Sequence, residues 1–86
     1  MLSSTAIGTA TAFGYISQTL TTTGVSNSSF GTYTLQQNTS GAFNTAIGES
    51  ALQANTVGSS NTAVGNSTVS GNFSGSVILG REATAT

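Results

Sequence analysis

Three side chains in this 86-residue sequence can carry a charge at neutral pH: Glu49, Arg81 and Glu82. The many Ser and Thr hydroxyls are potential nucleophiles, but each would need a general base, and the chain has no His, Cys, Asp or Lys to supply one. Glu49 and Glu82 could act as a carboxylate pair only if the fold brought them together. They are far apart and hold different positions relative to the glycines, so they read as two solvated surface glutamates. Two carboxylates without His or Cys also make a poor site for zinc or calcium. Gly71-Asn72-Phe73-Ser74-Gly75 has the spaced glycines of a phosphate loop, yet no Lys follows and no helix is expected, so they read as turn glycines. Arg81-Glu82 reads as an exposed ion pair worth under about 1 kcal/mol. The sequence therefore predicts no enzyme, no cofactor and no metal site.

The remaining chemistry is contact chemistry. A net charge of −1 gives no means of neutralising phosphates and no polybasic patch, so neither nucleic acid nor a membrane surface is an expected partner. It also leaves little self-repulsion to oppose self-association. No run approaches the roughly 20 apolar residues of a spanning helix, and Met1-Leu2-Ser3-Ser4 has neither the basic start nor the apolar run of a secretory signal. Tyr15, Tyr33, Phe43 and Phe73 could offer a sugar-stacking surface, although packing at turns is the more ordinary use of such rings.

The elements that must position these residues are repeats. Asn44-Thr45-Ala46-Ile47-Gly48 returns as Asn61-Thr62-Ala63-Val64-Gly65, seventeen residues later. One glycine series runs Gly14, Gly31, Gly48, Gly65, and a second runs Gly24, Gly41, Gly58, Gly75 at the same period. Residues 1–9 form a lead-in, with Ser4-Thr5-Ala6-Ile7-Gly8 out of register. Full repeats cover 10–26, 27–43, 44–60 and 61–77, and a partial terminal coil occupies 76–86, its Gly80 only fifteen residues after Gly65.

Stacked in columns, the residues before the first glycine are Phe13, Phe30, Ile47 and Val64, with Leu79 in the partial copy. Four residues after it come Gln18, Leu35, Leu52 and Val69. Asn27, Asn44 and Asn61 follow Ala10 in one column, and Asn38, Asn55 and Asn72 follow Thr21 in another. Two glycines per repeat among Thr, Ser, Asn and Val make poor helix composition, and helical repeats are usually thirty residues or longer. Disorder is the competing reading of a Ser/Thr/Asn/Gly-rich chain. Phased aliphatic columns favour an all-β parallel β-solenoid of about five 17-residue coils.

In such a solenoid, coils stack at about 4.8 Å. The expected core is Phe30, Ile47, Val64, Leu35, Leu52 and Val69, pointing inward. Gly and Asn are expected at positive-φ turns, with the Asn columns forming side-chain amide ladders. So little apolar burial per coil would leave a single chain marginal, and other copies of the chain are the expected source of the rest. Neither end shows a recognisable cap. The expectation is that the chain continues, or that its ends stack on another copy and lengthen the fibre.

NTAIGESALQANTVGSSNTAVG at 44–65, SNSSFGTYTLQQNTSGAF at 26–43, STAIGTATAFG at 4–14 and SVILGREATAT at 76–86 resemble the head repeats of trimeric autotransporter adhesins. They are even more similar to the NTAxG repeats of bacteriophage tail fibres and other virion appendages. Phe13 and Phe30 stand where those repeats usually carry an aliphatic residue. The resemblance implies a left-handed β-roll, a homotrimer, and a place on a virion surface or outside the cell. It also implies a structural and adhesive role, with other fibre or virion proteins and weakly bound cell-surface glycan as partners. The alternative is the head of a bacterial trimeric surface adhesin. An ice-binding solenoid is a further alternative, and it would need the same Thr-x-Thr on every coil.

Overall fold

The computed structural model describes residues 11–18, 23–69 and 71–84. The lead-in 1–9, Ala10, Thr21 and the last two residues lie outside the described residues. Five strands of three residues each, β1 (Thr11–Phe13), β2 (Ser28–Phe30), β3 (Thr45–Ile47), β4 (Thr62–Val64) and β5 (Val77–Leu79), form one sheet in chain order. Every neighbouring pair is parallel, so each connection winds once around before the next strand is laid down, giving a β-solenoid of about four turns. Ala12, Ser29, Ala46, Ala63 and Ile78 stand in one register column, and Phe13, Phe30, Ile47, Val64 and Leu79 in the next.

Strand alternation decides which column is inside. The middle residue of each strand points in: Ala12, Ser29, Ala46 and Ala63 are completely buried and Ile78 nearly so. Leu35 and Leu52 enter the same narrow interior from the turn and are completely buried. Leu35, Ala46, Ala51, Leu52, Ala63 and Ile78 make one cluster, with Ala83 packed against it. The column before the glycine therefore faces outward, which corrects the expectation for Phe30, Ile47 and Val64. They stack as expected, one per coil, but on the outer face of the sheet. The interior is too thin for a second row of large side chains, so small residues oppose the leucines. Val69 also departs from the expected core: it is exposed, and its bridge partner in the coil above is Thr84 in place of another leucine.

The turns reverse the expected division of labour between residue types. Gly48 does sit at φ 123°, a conformation open to glycine. The left-handed positions of the third coil, however, are Ser50, Leu52 and Ser60, with φ of 59°, 51° and 59°. Bonds to the neighbouring coils hold them there: Ser50 N–H donates to Thr32 O, Leu52 N–H to Thr68 O, and Ser60 N–H to Ala42 O. Gly58, in the second series, is needed for closeness. A Cβ there would sit 2.5 Å from Asn55 Oδ1 and against the carbonyl of the next coil.

The two Asn columns are buried and do different things. Asn44 N–H donates to Asn27 Oδ1 and Asn61 N–H to Asn44 Oδ1, each at 3.0 Å. The amide nitrogens of Asn27 and Asn44 donate one coil onward to Gly41 O and Gly58 O, each at 2.8 Å. This column thus bonds to backbone, where a side-chain amide ladder was expected. The second column does form such a step, Asn55 Nδ2 donating to Asn38 Oδ1 at 3.0 Å. Where the chain turns too tightly for a strand ladder, buried amide side chains satisfy the backbone groups instead.

The fourth coil is two residues short. Thr45 pairs with Thr62, but Thr62 pairs with Val77. The lost residues fall between Val69 and Phe73, because Asn61 Nδ2 donates to Phe73 O at 2.8 Å, as Asn44 Nδ2 does to Gly58 O. Phe73 therefore holds the position that the sequence period assigned to Gly75. Gly75 falls instead in the column of Ser26, Phe43 and Ser60, at φ 73°. Its amide donates to Ser59 O, as that of Ser60 does to Ala42 O.

Candidate functional site: an outward apolar ladder

The residues flanking each buried strand centre make the outer face of the sheet. Phe13, Phe30, Ile47, Val64 and Leu79 run along it without interruption, with exposures of 56%, 46%, 42%, 40% and 64%. The Phe13 and Phe30 rings stack at 5.8 Å between centroids, 28° from parallel. Beside them runs the column Thr11, Ser28, Thr45, Thr62 and Val77, also outward, and Val77 is 72% exposed. The local cause is the NTAxG pattern itself: alanine in, x out, then a glycine that turns the chain off the sheet.

The strands of this face are short and in register, and its backbone groups are paired between coils. Thr45 N–H donates to Asn61 O at 2.8 Å and Gly48 N–H to Phe30 O at 2.9 Å, and the pattern repeats along the stack. The polar groups left on it are the Thr and Ser hydroxyls of the neighbouring column. Covering one half-exposed side chain of this size is worth roughly 1 kcal/mol, so the five together offer about 5 kcal/mol per chain to whatever packs on them. Contiguous apolar surface of this kind marks an interaction site.

The charged residues lie past the first glycine, off this face. Arg81 and Glu82 pair at 3.3 Å and are largely exposed. Glu49 accepts from Asn66 Nδ2 at 3.2 Å on the coil above. Glu49 and Glu82 are not brought together, and the described residues hold no group of three or more His, Cys, Asp or Glu that could bind a metal. Tyr15 and Tyr33 meet edge-on at 6.1 Å. Phe43 and Phe73 are both exposed and belong to other turns, so the four rings do not form one surface. The Thr column beside the ladder has apolar residues where an ice-binding face would need its second Thr.

Sequence reading found this column but assigned it to the wrong side. The signal that separates the sides is size. The position two before the glycine reads Ala, Ser, Ala, Ala in the four full coils, as a tight interior requires, and only the last coil admits the larger Ile78. No protein-family model, curated protein or solved structure matches the chain.

Proposed function

We propose that the chain is a segment of a trimeric fibre in a virion appendage, a tail or capsid fibre, where it spaces or presents a receptor-binding surface. The outward ladder is the observation that carries this reading. A solenoid whose backbone and Asn side chains are already paired exposes one unbroken apolar column along its axis. Lateral packing of copies on that column gives a stiff rod, and near-zero charge removes the repulsion that would oppose it. The number three, the left-handed roll and the virion location rest on the resemblance of NTAIG and NTAVG to phage-fibre and adhesin-head repeats. Repeated contacts along such a rod bind cell-surface glycan weakly and multivalently, so avidity comes from the number of coils engaged. The sheet face is then an interface between copies, and the turns of each coil form the presented surface.

Electron microscopy with a gold-labelled antibody against the 86 residues tests the location. Labelling of virion fibres is the expected result. Labelling of a cell envelope in the absence of particles would replace the virion reading with that of a bacterial adhesin head.

A further inference from the structure

The corner that carries Gly24, Gly41 and Gly58 is a close approach between successive turns. A Cβ built on any of the three meets a carbonyl oxygen of the next coil closer than real Cβ atoms come: Gly41 O, Gly58 O and Phe73 O in turn. Those three carbonyls are equivalent, since each accepts a 2.8 Å bond from the Asn of the preceding coil. Phe73 thus occupies the glycine column while carrying the atom that the column excludes. Residues 71–75 are all exposed, with no described coil above them. The first-series corner is similarly close, Gly14, Gly31, Gly48 and Gly65 each facing the carbonyl of the next glycine, but its last position is still a glycine, Gly80.

We infer that Phe73 is a stop built into the stack. Its Cβ fills the slot that the carbonyl of a following coil would take, so no further glycine-type corner can be laid there in register. Thr84 lies over Val69, four residues before Phe73 in the coil below. A continuing chain must leave the solenoid path at this point. The same atom bars a second copy from extending the stack in register on this side.

The test adds the coil that the stop forbids. Residues 53–69 are fused in register after Thr84 of the full chain, with Phe73 kept, changed to Ala, or changed to Gly. Amide hydrogen exchange is then read in the added coil and in β4. Phe73→Gly should slow exchange in the added coil roughly 100-fold or more. Phe73 and Phe73→Ala should leave it exchanging freely, since a single Cβ is enough to block. Protection of the added coil with Phe73 or with Ala would overturn the inference, and so would its absence with Gly. Loss of β4 protection in Phe73→Gly would also overturn it, by making Phe73 a support of the fourth coil.

Discussion

Ile47 lies directly beside Val64 in the adjacent strand, and both turn away from the interior, 42% and 40% exposed. Leu52, five residues after Ile47, is completely buried. These two apolar positions, alike in the sequence, should respond differently to mutation. Leu52→Ala empties a narrow core and should destabilise the solenoid by about 3 kcal/mol. Ile47→Thr keeps the β-branch and should change the stability of the isolated solenoid by less than about 1 kcal/mol. Denaturant unfolding of the two variants measures the contrast, and equal losses would contradict the sidedness of the sheet.

Gln18 replaces the leucine of its column, and Ser29 replaces the alanine that such a leucine would face. Gln18 Nε2 donates to Ser29 Oγ at 2.8 Å, while Gln18 Oε1 is buried without a partner. Restoring the apolar pair with Gln18→Leu and Ser29→Ala together should stabilise the chain by about 1 kcal/mol. Either change alone should gain less, because it leaves part of the polar pair behind. A double-mutant cycle in urea reads the coupling.

Asn44 makes three coils cohere: it bonds back to Asn27 Oδ1 and forward to the Asn61 amide and the Gly58 carbonyl. Asn44→Ala leaves the Asn61 amide buried and unpaired, and should cost about 2 kcal/mol. Asn66, half-buried beside Glu49, should cost under about 0.5 kcal/mol on the same change. Melting temperatures of the two variants separate a structural ladder from a surface amide.

Gly48→Ala meets two obstacles at once. Its φ of 123° disfavours any side chain, and its Cβ would sit 2.6 Å from Gly65 O. The expected loss is about 3 kcal/mol or more. Gly80→Ala has open space and only the φ of 109° against it, so it should lose less. Thermal unfolding ranks the two.

The repeat period and the column partners were legible because stacking forces like residues into line. Phe30, Ile47 and Val64 pair as their spacing demands. Which way a column faces depends on strand parity, and apolarity alone pointed the wrong way. Sequence logic treats Ile47 as core, whereas Ala46 fills the space that the leucines leave. The second glycine series misled for another reason. Gly75 keeps the period of Gly58 and does sit at a positive-φ turn as expected, but the fourth coil loses two residues before it, so the two glycines hold different columns and Gly58 serves close packing instead. The non-glycine turns at Leu35 and Leu52 have no sequence signature, since neighbouring coils hold those conformations by hydrogen bonds.

The central claim is that the outward ladder joins copies of the chain, and the mass of the assembly tests it most directly. Sedimentation equilibrium of the unaltered chain should give three times its 8.5 kDa. The double variant Ile47→Thr, Val64→Thr should sediment as a single chain while keeping its β-sheet circular dichroism. An unaltered chain that is monomeric at every concentration, or a double variant that keeps the trimer mass, would contradict the account.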